Sequence, residues 1–216
     1  MTTGAIHQGQ PVYAAGKPLS EAKGALILLH GRGATAQDIL SLAGELYHSD
    51  LAYLAPQAAG HTWYPNSFLM PLAQNEPYLS SALQRIGEVV AQVEAAGIPA
   101  ERIILGGFSQ GACLSSEFVA RNARRYGGLL VFSGGLIGPS GTPRDYAGTL
   151  ADTPIFLGCS DVDFHIPKER VTESADLFRR MGAQVTAKLY PNLGHTIIAD
   201  ELEYGRQMVD EVMRAM

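Results

Sequence analysis

Cysteine is scarce in this chain. Of 216 residues only Cys113 and Cys159 carry thiols, too few for a disulfide framework and without the CxxC or paired spacing of a zinc site. Their expected state is reduced and buried. Charged residues are also sparse, at 17%, and their balance is acidic, with 16 Lys and Arg against 21 Asp and Glu. A net charge of -5 supplies no cationic field for a phosphate backbone, and the one basic cluster, Arg121, Arg124 and Arg125, is short. Nucleic acid is thereby excluded as an expected partner. Long hydrophobic runs are missing as well. Stretches such as Ala25 to Leu29 fall far below the roughly 20 residues that span a bilayer, so no stable membrane insertion is expected. The first 24 residues hold neither a basic n-region nor an apolar h-region, which makes the cytoplasm the expected compartment.

What the chain does have is enough apolar material for a core, 46% of its residues, at a length that suits one domain over 1–216. Six short, unbroken apolar runs recur, at 25–29, 51–54, 103–105, 129–132, 155–157 and 185–189. Continuous rather than alternating hydrophobicity predicts strands covered on both faces. Segments of helical spacing separate them, at 37–47, 78–96, 111–125, 168–181 and 198–216. Strands alternating with helices imply a mostly parallel sheet with helices on both faces. Gly97 before Pro99 and Gly182 before a strand mark helix ends. The stretch 56–77, rich in Pro, Gly, Asn and aromatic residues, exceeds an ordinary connection and reads as a functional or mobile loop.

Between the strand near 102–106 and the helix near 111 stands Gly107-Phe108-Ser109-Gln110-Gly111. Such a pattern fits a nucleophile elbow, a sharp turn that lifts the serine hydroxyl clear of the sheet while flanking glycines avoid collision with strand and helix. About 0.16 matches to G-x-S-x-G would arise by chance at this Gly and Ser content, so context must support it. A serine hydroxyl needs a base, and the base needs an acid to hold its tautomer. The order Ser109, Asp163, His195 meets this need, with each later member just beyond a predicted strand, where active-site residues collect. Asp161 shares the loop of Asp163, and residue chemistry alone leaves both open as the acid. An isolated Asp near a turn is often only a backbone acceptor.

Two donors are needed for the negative oxygen of the tetrahedral intermediate. The Gln110 amide follows the nucleophile, and the loop His30-Gly31-Arg32-Gly33 offers the Arg32 amide. The same loop satisfies G-x-G-x-x-A, a dinucleotide fingerprint, but the acid that should end the next strand is missing, since Asp50 precedes it. His7 and His48 lack partner patterns, while His61 and His165 lie in loops near the site, with exposed or structural roles expected. No metal-ligand spacing appears, and no cofactor is implied. Trp63, Tyr64, Phe68, Leu69, Met70, Leu136 and Phe164 are candidate pocket walls, with Trp63, Tyr64 and Phe164 taken as substrate-binding; for an aromatic residue, ordinary core packing is the common alternative.

Taken together, these features resemble the phospholipase/carboxylesterase branch of the α/β-hydrolases, which includes bacterial carboxylesterases and acyl-protein thioesterases. Matching segments are Leu29-His30-Gly31-Arg32-Gly33, Ala55-Pro56-Gln57, Trp63-Tyr64, Gly107 to Ala112, Ser133-Gly134-Gly135, Asp161-Val162-Asp163 with Pro167, and Gly194-His195. The resemblance implies an α/β-hydrolase fold, and it selects Asp163, the second Asp of the D-x-D pattern, as the acid. The chain departs from the family pattern at Ala34, where an Asp is frequent, at Cys159-Ser160, where His-Gly is common, and at Phe164, where proline is. Carboxylic ester hydrolysis is the implied activity, with a small-molecule ester as partner. A thioesterase or lysophospholipase would use the same machinery. A binding module on the same fold would be marked by a lost catalytic residue, and none is lost. The short segment from Ser133 to Asp161 leaves no room for a cap domain, and assembly state is left open.

Overall fold

A computed structural model describes residues 5–214. Seven strands form one sheet: β1 (Val12–Gly16), β2 (Gly24–Leu29), β3 (Leu51–Pro56), β4 (Ile103–Phe108), β5 (Gly128–Phe132), β6 (Pro154–Ser160) and β7 (Gln184–Tyr190), in the order β1-β3-β2-β4-β5-β6-β7. Only β1 runs antiparallel, against β3; the remaining neighbours are parallel. All six predicted runs are strands, but β7, at the edge of the sheet opposite β1, is largely exposed rather than covered on both faces as its run predicted. The extra one, β1, is half-buried and lies at the edge, so it lacks the continuous apolar run that marks the central strands.

The centre shows why those runs are continuous. Every residue of β2 is buried. Ala25, Ile27 and Leu29 enter the core on one face, and Leu26 and Leu28 enter the core on the other, as the two-residue period of a strand requires. Over the first face pack α3 (Tyr78–Ala95), α4 (Gln110–Arg121) and α5 (Lys168–Arg180). Over the second lie α1 (Ala36–Leu40), α2 (Leu42–Glu45) and α6 (Ala199–Arg214).

Three helix expectations change in detail. The segment 37–47 divides at Ser41, whose hydroxyl donates to the Asp38 carbonyl at 2.6 Å and competes with the backbone ladder. The helix expected to reach Arg125 ends at Arg121, where Asn122 leaves helical geometry and its side-chain amide donates to the Phe118 carbonyl at 2.9 Å. The last helix begins at Ala199, and the end proposed at Met216 lies outside the described residues. Between β5 and β6 the chain forms no helix, in keeping with the absence of a cap. Among the described residues no helix is long and apolar enough to cross a membrane.

The chain leaves β2 toward β3 on one side and returns to β4 on the other. Loops leaving the ends of β2 and β4 therefore diverge and open a crevice, the place where open α/β sheets bind ligands.

Candidate active site

Ser109 occupies that crevice, one residue beyond β4 and directly before α4. Its backbone has φ 55° and ψ -118°, a conformation that costs a side-chain-bearing residue about 1–3 kcal/mol. The turn is held on both sides: the Ser109 amide donates to the Phe132 carbonyl at 3.0 Å, and the Cys113 amide donates to the Ser109 carbonyl at 3.0 Å. The flanking glycines have a steric cause. A Cβ on Gly107 would stand 2.7 Å from the Gly111 backbone, and one on Gly111 would overlap the Leu29 carbonyl. Strand, turn and helix thus close on one another only without side chains there.

Beyond the ends of β6 and β7, Asp163 and His195 meet. His195 Nδ1 donates to Asp163 Oδ2 at 2.7 Å, and the Asp163 side chain is fully buried. The other oxygen, Oδ1, accepts the amides of His165 at 2.8 Å and Ile166 at 3.1 Å. Burial pushes this carboxyl up, but the hydrogen bonds from His195, His165 and Ile166 outweigh it and hold the group below the ordinary carboxylate range. A stable carboxylate results. Asp161 has a separate task, accepting the Asn192 amide at 2.9 Å and so tying together the two loops that carry Asp163 and His195. The His195 ring lies 4.7 Å from that of Phe108 and 4.8 Å, edge to face, from that of His165.

Ser109 and His195 line one cavity of about 510 Å³. Among the described residues no hydrogen bond joins Ser109 Oγ to His195 Nε2; in free enzymes such contacts are often long and tighten when substrate binds. Arg32 and Gln110 line the same cavity. Neither backbone amide has a protein acceptor among the described residues. Gln110 is the first residue of α4, so its N–H has no partner inside the helix.

The side chains of these two residues pin the long loop 56–77. The Arg32 guanidinium donates to Thr62 Oγ1 at 3.1 Å and to the carbonyls of Pro65 at 2.8 Å and Asn66 at 2.6 Å. The Gln110 amide group donates to the Tyr64 carbonyl at 2.8 Å, and its oxygen accepts the Trp63 amide at 2.9 Å. His30 accepts the Ala58 amide at Nε2, and His7 accepts the Ala59 amide at Nδ1. Burial holds both histidines below the ordinary imidazole range, in keeping with neutral acceptors. His61 also has a structural role, its carbonyl accepting the Gly33 amide at 2.8 Å.

Of the three proposed substrate-binding residues, only Tyr64 lines the cavity. Trp63 is completely buried behind it, and its indole N–H donates to the His30 carbonyl at 3.0 Å. Phe164 is 95% exposed. The tight turn around Asp163 Oδ1 explains this last correction, because it directs Ile166 inward and leaves Phe164 outside. Phe68 lines the cavity, whereas Leu69, Met70 and Leu136 do not. Sequence reasoning overlooked Ile166, and it overlooked Cys159, whose thiol lies 3.7 Å from Asp163 Oδ2. Burial and the adjacent Asp163 charge push that thiol up to about 12, so it remains a donor to the carboxylate. His165, expected to be exposed or structural, is exposed and also lines the cavity. Cys159 was marked in the sequence only as a buried thiol and as a departure from the family pattern, and Ile166 only by its closeness to Asp163.

The dinucleotide alternative finds no support in the loop. Thr35 and Asp38 form a reciprocal cap on the five-residue α1, and Asp50 is engaged by Lys17 and Lys23. Among the described residues no cluster of three or more His, Cys, Asp or Glu is arranged to hold a metal ion.

A mostly parallel sheet, a strained serine at the β4–α4 turn and loops converging at the strand ends define an α/β hydrolase. The chain belongs to the Phospholipase/Carboxylesterase family, whose model matches residues 13–212, and with it to the hydrolases of esters and thioesters. It is similar to a phospholipase/carboxylesterase of Dyadobacter fermentans of known structure, at 46% identity and a TM-score of 0.90, over 93% of this chain and 96% of that one. Acyl-protein thioesterase 1 of Debaryomyces hansenii is 26% identical over 70% of this chain and 75% of its own length. The Saccharomyces cerevisiae acyl-protein thioesterase 1 is 28% identical over 86% and 91%.

Proposed function

We propose that this chain is a serine carboxylesterase acting on small to medium acyl esters, with Ser109 as nucleophile, His195 as base and Asp163 as the acid that orients it. The supporting observation is the 2.7 Å Asp163–His195 hydrogen bond at the wall of the cavity that also holds Ser109. With Nδ1–H engaged by the carboxylate, Nε2 is the ring atom available to take the Ser109 proton. The Oγ–carbonyl bond forms, and the resulting oxyanion takes hydrogen bonds from the Arg32 and Gln110 amides, each worth roughly 10² to 10³ in rate. His195 returns the proton to the alcohol oxygen as the ester C–O bond breaks. A water molecule, deprotonated by His195, then releases the acid and regenerates Ser109. The reading treats 1–216 as one domain, supported by the single sheet from β1 to β7.

Hydrolysis of p-nitrophenyl esters of increasing acyl length, by the native protein and by Ser109→Ala, tests the assignment. A loss of at least roughly 10³-fold is expected in the variant, and an undiminished rate would eliminate Ser109. A second reading, thioester hydrolysis by the same residues, is favoured by the likeness to acyl-protein thioesterases. Acyl thioesters assayed beside their oxoesters decide between the two.

A further inference from the structure

His195 borders two cavities. The second, of about 350 Å³, shares Gly31, Ala34, Phe108 and His195 with the first but touches neither Ser109 nor Gln110. Its further lining comes from His30, from Ile39, Ser41 and Leu42 of the α1–α2 stretch, and from Thr196 and Ile197 just before α6. Among the described residues no Lys or Arg lines it, and Asp38 is its one carboxylate. That carboxylate is held below the ordinary range by hydrogen bonds from the Thr35 side chain and amide, so it stays charged.

An ester bound for attack at Ser109 has two substituents to house. Its acyl half remains on Ser109 and belongs in the cavity that Ser109, Arg32 and Gln110 line. The alcohol half must leave through an oxygen protonated by His195, so it projects past the imidazole, away from Ser109. We propose that the second cavity is the subsite for the alcohol half of the substrate, fitted to a neutral, apolar group and closed to anionic ones by Asp38. This rests on the esterase reading above. In the step it serves, the Oγ–C bond forms, the C–OR bond breaks, and the Oγ proton passes through His195 to the departing alkoxide, giving ROH in this cavity.

Two ester series separate the halves, with hydrolysis followed by proton release: methyl against hexyl acetate, and methyl acetate against methyl hexanoate. Leu42→Trp, which fills the second cavity, is expected to lower kcat/KM for hexyl relative to methyl acetate by about tenfold while leaving the acyl series unchanged. Asp38→Asn keeps a capping oxygen and removes the charge. It is expected to raise kcat/KM for 3-carboxypropyl acetate relative to butyl acetate by roughly fivefold at low salt. The Asp38 arm stands alone if the tryptophan variant does not fold. An effect of Leu42→Trp on the acyl series, or unchanged ratios in both variants, overturns the subsite. Retained hydrolysis of every ester by Ser109→Ala instead overturns the esterase reading beneath it.

Discussion

Glu201 shows how a single carboxyl outside the proposed catalytic set shapes the site. It lies in the first turn of α6, buried, with Oε2 accepting the Ile198 amide at 2.9 Å and Oε1 without a partner among the described residues. Its carboxyl occupies the space beside Gly158 of β6 that a side chain there would fill. It thereby braces the helix start, four residues after His195, against the strand that leads to Asp163. Burial pushes its pKa up to about 7 from 4.5, against the hydrogen bond from Ile198 and with a smaller push from Asp200. The folded protein therefore keeps a proton that the unfolded chain releases near pH 4.5. Below that pH the group contributes no difference; between 4.5 and 7 folding is progressively disfavoured as pH rises, by about 3 kcal/mol in full. Glu201→Gln cannot ionise. Its stability relative to the native protein should rise by about that amount from pH 5 to pH 8 in chemical denaturation, and parallel pH profiles would refute a raised Glu201 pKa.

At the scale of elements, the loop 56–77 joins the sequence features to the chemistry. Its length marked it as functional, and its aromatics suggested a substrate wall, yet Trp63 is spent on anchoring the loop to His30. Periodicity cannot reveal that distinction, because an aromatic facing a cavity and one buried behind it look alike in a chain. The elbow and the order of Asp163 and His195 were legible because steric need and strand-end placement leave a local trace. The Phe164 position was not, since it depends on which oxygen of Asp163 the next two amides find. The side chain of Arg32 fixes the loop, and the residue lines the cavity that holds Ser109, so it joins the two. Arg32→Ala keeps that amide but frees Thr62 to Asn66. The expected result is faster hydrogen exchange at Thr62, Trp63, Tyr64 and Asn66 and a fall in kcat of roughly tenfold, corresponding to about 1.4 kcal/mol of lost positioning. Unchanged exchange and kcat would mean that the guanidinium contacts are dispensable.

For the whole molecule, the parallel sheet was readable because both faces of its central strands are covered, and this demands unbroken apolar runs. Edge strand β1 escaped notice for the converse reason. The same architecture is expected to separate stability from chemistry along a single strand. Ile103, fully buried at the start of β4, pairs with Ala25 and lies in the core beneath α3 and α4. Five residue steps of extended chain, roughly 17 Å, separate it from Phe108 at the strand end beside Ser109. Ile103→Ala should cost about 2–5 kcal/mol of stability through lost contacts and an unfilled cavity. Its kcat, measured well below the lowered Tm, should stay within about twofold, because a change of 0.4 kcal/mol in the barrier already gives that factor. Gly111→Ala is the counterpart, since a methyl group there meets the Leu29 carbonyl and must displace α4 from β2 at the elbow itself. Activity should collapse in this variant even where circular dichroism reports a folded chain. Equal losses of kcat in both variants would show that the Ser109 end of β4 is not mechanically independent of its base.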